Sequence, residues 1–168
     1  MELLIRHLEQ ADIPEIAAAF QELGWNKPAS QYTRYFMEQV MELRDVLVAF
    51  ADGLFAGYLT ICWHSTYPPF REAHIPEIVD FNVLPHFRRC GIGAALMDRA
   101  ESEIAHISPL AGIGVGLLPD YGAAQRLYVQ RGYIPDGRGM HALDHYPIHG
   151  ETVVANDDLA LYFTKKLA

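Results

Sequence analysis

The chain has 168 residues, 51% hydrophobic and 20% charged, with a formal net charge of −8. This length suits one domain, spanning residues 1–168, with a substantial core, and the composition is that of a globular chain rather than a disordered one. The acidic balance argues against a nucleic-acid-binding surface and, if anything, favours a cationic partner such as an amine.

Cys62 and Cys90 are too few for a disulfide framework, and no C-x-x-C pair occurs. Glu2, Arg6, His7 and Glu9 make the first ten residues unlike a signal peptide. No run approaches the ~20 apolar residues that a bilayer span needs, so a cytoplasmic protein without membrane attachment is expected.

Leu3-Leu4-Ile5 reads as a first strand. Asp12 and Glu15 have capping-box spacing, and Pro14 sits in a first helical turn, where proline is tolerated. Ile13, Ile16, Ala17, Phe20 and Leu23 share one helical face, which Gly24 stops. A second helix starts near Ser30 and carries Tyr32, Tyr35, Phe36, Gln39, Val40 and Leu43. Between the two, residues 24–28 read either as a pocket lining or as a surface loop with a packed Trp25.

Residues 45–51 and 54–63 are two strands joined by Asp52-Gly53, a favoured two-residue hairpin turn. The prolines at 68, 69 and 76 predict a long irregular loop over 64–76, read as one wall of a substrate site.

Residues 77–83 then read as a strand. Ile92, Leu96, Ala100, Ile104 and Ile107 have the spacing of one helix face. Between them lies a basic loop with Gly91 and Gly93. A helix start leaves backbone N–H groups unpaired and carries partial positive charge, and glycine lets an anion approach them. The loop is suited to phosphate. It fails the dinucleotide fingerprint because Leu96 stands where a third glycine belongs, and it lacks the Gly-Lys-Ser/Thr of a nucleotide P-loop.

Residues 111–118 read as a further strand whose glycines at 112, 114 and 116 bare one face, for a ligand, another backbone or tight helix packing. A helix follows in which Ala124, Leu127, Tyr128 and Arg131 share a face and Gly132 ends it. His141, His145 and His149 recur every four residues, but Gly139, Pro147 and Gly150 deny them a helix, so they are expected as exposed loop histidines and not as a metal site. A last strand is expected near Leu159–Thr164.

Arg88-x-x-Gly91-x-Gly93-Ala94, preceded by Val83-x-Pro85, resembles the acetyl-CoA pyrophosphate loop of the GNAT superfamily of N-acetyltransferases. Ala124-x-x-Leu127-Tyr128, followed by Gly132-Tyr133, resembles its second signature, with Tyr121 at a position usually held by Asn. The resemblance implies an α/β fold: a mixed, splayed central sheet flanked by helices. It implies acetyl-CoA held by Phe81, Asn82, Val83, Arg88, Arg89, Cys90, Gly91, Ile92, Gly93, Ala94, Tyr121 and Ala124. It further implies direct acetyl transfer to an amine of a small molecule or peptide, and it leaves a homodimer open.

Such a reaction needs a free amine, and an alkylamine is almost wholly protonated at neutral pH. Glu77, Asp80 and a water relay are the candidate routes for its proton. In an unbroken strand Glu77 and Asp80 point to opposite faces. A main-chain N–H of 81–83 is the implied oxyanion donor. Tyr128 is the implied proton donor to the departing thiolate, against a reading as a buried anchor of its helix. The alternative function is a non-catalytic acyl-CoA-binding sensor or interaction module.

Overall fold

The computed structural model describes residues 1–167. One sheet runs through it, built from β1 (Leu3–His7), β2 (Arg44–Ala51), β3 (Leu54–Cys62), β4 (Glu77–Val83), β5 (Leu110–Gly116), β6 (Ile134–Pro135), β7 (His141–Ala142) and β8 (Leu159–Lys166). The order is β1-β2-β3-β4-β5-β8-β6, with β7 also on β8. Among the described residues only the central β4–β5 pair is parallel. The mixed sheet expected from the sequence is therefore present.

Helices cover both faces. On one side α1 (Ile13–Glu22) and α2 (Ala29–Val40) bury Ile16, Phe20, Tyr32 and Tyr35 against Val46, Val48, Phe55 and Tyr58. On the other, α4 (Ile92–Ala105) and α5 (Gly122–Gln130) bury Leu96, Met97, Ala100, Ile104 and Tyr128 against Leu47, Leu59, Ile61, Ile78 and Ile113. Both cores follow from period-two strands meeting helices of period 3.6. Each fully buried Phe or Leu contributes roughly 1.5–3 kcal/mol of transfer free energy.

Four local expectations are corrected. The 64–76 segment contains a short helix, α3 (Pro68–Glu72), because its prolines occupy the first turn, where no N–H is needed. Asp12 does not cap α1 with its side chain. It accepts the Glu9 N–H at 2.8 Å in the preceding 3₁₀ turn and pairs with Arg6 at 2.7 and 2.8 Å. Ile107 lies beyond the end of α4 and is exposed. His141 is buried rather than exposed, edge-on to the Tyr67 ring at 5.2 Å.

Candidate active site

β4 is not an unbroken strand. Its register on β3 runs Cys62↔Glu77, Ile61↔Ile78 and Thr60↔Val79, then continues as Tyr58↔Asn82 and Gly57↔Val83, so β4 holds one extra residue. Asp80 absorbs it with a φ of +56°, a left-handed conformation that a non-glycine residue adopts only under constraint. A bulge resets the alternation of side chains. Ile78, Phe81 and Val83 consequently all pack toward the α4/α5 core, while Asp80 and Asn82 emerge together toward α1 and α2. Glu77, next to Ile78, falls on the same face as Asp80. The expected opposition of the two carboxylates is lost because the strand is bulged.

β4 pairs with β5 only at Glu77↔Gly112 and Ile78↔Ile113. Beyond Ile78 the two strands part. The Leu84 N–H donates to Ala56 O across β3 at 2.9 Å. Backbone alternation then turns the N–H groups of Val83 and Phe81 to the opposite edge, the one β5 has left. Asn82 points its own N–H toward β3. The Val83 carbonyl, on the open edge, accepts from Arg88 Nε at 3.0 Å.

The glycine loop follows directly. Arg89 and Gly91 have φ of +61° and +82°. Among the described residues, no N–H from Arg89 to Ala94 donates to a protein acceptor, and the first backbone bond of the new helix is Ala95 N–H to Gly91 O at 3.0 Å. Successive free amides around left-handed residues form a concave anion seat. Ile92 is buried, so it offers the seat only its backbone. A Cβ on Gly93 would stand 3.2 Å from the Phe81 ring, so glycine permits α4 to approach β4 this closely. Arg89, Cys90 and Ala94 are exposed around the seat. The donor set fits the pyrophosphate of a CoA ester.

The two carboxylates sit in unlike surroundings. Asp80 accepts hydrogen bonds from Lys27 Nζ (2.8 Å), Gln31 Nε2 (3.0 Å), Tyr35 Oη (2.9 Å), Asn82 Nδ2 (2.8 Å) and Tyr58 Oη (2.5 Å). Burial works to raise its pKa, but Lys27 and the hydroxyls outweigh burial and hold the carboxyl below its ordinary value. Asp80 is thus a firmly ionised group beside the open part of β4. Glu77 is 7% exposed and accepts from Ser65 Oγ. Burial pushes its pKa up, against Ser65 and Arg44. It lies where β4 and β5 are still paired.

Tyr128 is 5% exposed with its ring in the α4/α5 core. Burial alone raises its pKa, and its hydroxyl has no hydrogen-bond partner among the described residues. A phenol so placed is neutral and free to donate. Tyr121 donates to Asp157 at 2.7 Å and lays its ring over Gly116. Ala124 packs at the edge of the same core. Gln125 Nε2 donates to Gly116 O at 2.9 Å, tying α5 to the end of β5. The bare glycine face of β5 takes aromatic rings, Phe70 of α3 on Gly112, Tyr162 on Gly114 and Tyr121 on Gly116.

Gln31, Tyr35 and Tyr58 escaped the sequence reading as polar contributors, and Lys27 and Ser65 entered it only as members of the 24–28 and 64–76 segments. The 24–28 segment is a loop whose Trp25 is packed and whose Lys27 reaches the β4 carboxylate. Trp25 stacks on Phe20 (5.7 Å) and lies under the Arg88 guanidinium (5.9 Å), and Lys27 reaches Asp80. His7, Asp45 and Glu103 form one His/carboxylate group, and in the tail His145 bonds Asp144 and Glu151.

Residues 42–135, more than half of the chain, match the acetyltransferase (GNAT) domain family. An uncharacterised N-acetyltransferase of Archaeoglobus fulgidus is 30% identical over 120 residues, covering 67% of this chain and 81% of that one. The ribosomal-protein-alanine N-acetyltransferase of Brucella melitensis superposes with a TM-score of 0.72 at 20% identity, covering 98% of this chain and 99% of that one. A Salmonella typhimurium protein described as an acetyltransferase, solved with its cofactor acetyl-CoA, gives a TM-score of 0.68 at 18% identity, covering 99% and 94%. Split β4–β5 pair, free-amide loop and family match agree: the chain is an acyltransferase of the GNAT family.

Proposed function

We propose that the protein moves an acetyl group from acetyl-CoA to a primary amine by direct attack in a ternary complex. The observation that carries this reading is the parting of β4 from β5 after Ile78 and Ile113, directly before the free amides of residues 89–94. The loop amides and Arg89 would hold the pyrophosphate, with Cys90, Ile92, Gly93 and Ala94 shaping its seat and Arg88 bracing the end of β4. Tyr121 and Ala124 would border the pantetheine arm. The thioester supplies the activated acetyl group.

In this reading the N–H groups of Phe81 and Val83 stabilise the negative charge that develops on the thioester oxygen. Asp80 receives the acceptor nitrogen on the opposite face of the sheet. Because its donors keep Asp80 a weak base, turnover follows the free-amine fraction and rises with pH toward the pKa of the acceptor. Glu77 fixes β4 where the strands part. Tyr128 protonates the departing sulfur.

The test is titration calorimetry with acetyl-CoA, followed by thiol release across a panel of primary amines. Binding with amine-dependent release of CoA supports the proposal. Binding with no release for any amine favours the acyl-CoA-binding module instead.

A further inference from the structure

An amine already occupies the carboxylate assigned above to the acceptor. Lys27 Nζ lies 2.8 Å from Asp80 Oδ1 and 3.1 Å from Tyr58 Oη, and 5.7 Å from the ring centroids of both Phe20 and Tyr58. A carboxylate and aromatic faces around an ammonium are the chemistry by which a primary amine is recognised. The Lys27 side chain retains 19% exposure.

Backbone bonds hold its segment to the end of α1. Trp25 N–H donates to Phe20 O at 3.0 Å and Lys27 N–H to Trp25 O at 2.9 Å. Trp25, two residues earlier, is the ring beneath Arg88 of the glycine loop. Lys27 therefore lies on a short path between that loop and the bulge of β4.

Composition sharpens the point. Only Lys27, Lys165 and Lys166 are lysines among 13 Lys and Arg residues. Lys165 is committed to Glu101 at 2.6 Å, on the α4 side of the sheet. Where this chain needs a cation paired with a carboxylate it mostly uses arginine, as in Arg6–Asp12, Arg44–Glu38 and Arg131–Glu101. At Asp80 it places a group that can lose its proton and act as a nucleophile.

We infer that Lys27 is itself an acceptor, acetylated on Nζ within the same chain. The inference rests on the acetyl-transfer reading above. Lys27 Nζ, once unprotonated, gives its lone pair to the thioester carbonyl carbon. The N–C bond forms, the C–S bond breaks with its electron pair going to sulfur, and the proton shed by nitrogen ends on the thiol. Lysine and acetyl-CoA become acetyl-lysine and CoA. The product amide is neutral, so Asp80 loses the Lys27 cation, and an external amine must compete with Lys27 for the same carboxylate.

The purified full-length chain is incubated with acetyl-CoA alone, digested, and mapped by mass spectrometry, in parallel with thiol release from the amine panel. The expected result is one acetyl group per chain, on Lys27. Its rate should be independent of protein concentration and fall when a good amine acceptor is added. Lys27→Arg keeps the cation and should carry no label. Asp80→Asn, which leaves the nitrogen unanchored, should slow labelling by roughly tenfold or more. Acetylation of external amines with Lys27 unmodified overturns this inference alone. Label spread equally over Lys27, Lys165 and Lys166, as in urea-unfolded protein, also overturns it. Absence of transfer to Lys27 and to every amine overturns both readings.

Discussion

Ile78 lies opposite Ile113, and no residue pair beyond them joins β4 to β5. The gap is kept open from the other side as well. Gly57 on β3 lies so near β4 that a Cβ there would stand 2.5 Å from Asn82 O. Gly57→Ala should therefore push the bulged segment toward the gap. The expected cost is ~1–3 kcal/mol in urea unfolding, with a loss of acetyl transfer exceeding the loss of folded protein. Parental stability and turnover would show that this close approach has no role in setting the gap.

Acetyl-CoA should raise the melting temperature, as any ligand bound only to the folded state does. Gly91 has open space around a hypothetical Cβ but a φ of +82°, so Gly91→Val strains the loop and fills the anion seat together. Affinity of the folded fraction, measured by calorimetry, should fall by roughly tenfold or more, equivalent to about 1.4 kcal/mol. Unchanged affinity would move the pyrophosphate away from this loop.

Tyr128→Phe removes one hydroxyl that bonds nothing in the protein. Stability should stay near the parent's. A proton donor acting only in the transition state is worth ~10²–10⁴-fold, so kcat and kcat/KM should fall together by more than about tenfold, with acetyl-CoA affinity within about twofold. A stable variant with parental kcat would leave Tyr128 as a packing residue only.

The carboxyl groups give stability an opposed pH dependence. Asp12, Asp80 and Glu101 have native pKa values below their ordinary ones because their Arg, Lys and hydrogen-bond partners outweigh burial. Their contribution is complete above the unfolded values of 3.8 and 4.5 and is lost as pH falls through the lower native values. Glu77 runs the other way. Burial raises its native pKa, so its contribution is complete below 4.5 and is lost as pH rises through the native value. Urea melts should show Asp80→Asn losing less stability than the parent on acidification. Glu77→Gln should gain on the parent as pH rises from acid to neutral. Parallel curves for parent and Glu77→Gln would mean that Glu77 titrates normally.

Elements with one dominant periodicity were legible in the sequence. The 92–105 helix, the Asp52-Gly53 hairpin and the glycine loop each announce themselves within a few residues. The candidate carboxylates were named, but they were expected on opposite faces, because their true relation depends on the extra residue at Asp80 in the β3–β4 register. Nothing local marks that bulge, since Asp80 carries no turn signal and stands in an apolar run. Apart from Asn82 on β4 itself, the donors around Asp80 come from the 24–28 segment, α2 and β3, which meet only when the sheet is assembled. Lys27 reads as an ordinary loop lysine until then. The aromatic covers of the β5 glycines are likewise contributed by α3, β8 and the turn before α5, far apart in sequence. The burial of His141 depends on Tyr67, 74 positions away.

The central claim is acetyl transfer at the split between β4 and β5, and single-turnover chemistry with labelled acetyl-CoA and a primary amine tests it most directly. Parent and Asp80→Asn proteins, both shown folded and loaded, are mixed with the amine and quenched in time. The parent should form acetyl-amide and free CoA thiol in equal amounts, at a rate that climbs with pH. Asp80→Asn should be slower by roughly tenfold or more at neutral pH, a loss of about 1.4 kcal/mol in transition-state stabilisation. Tight loading of acetyl-CoA with no acetyl-amide from any primary amine at any pH would contradict the central claim.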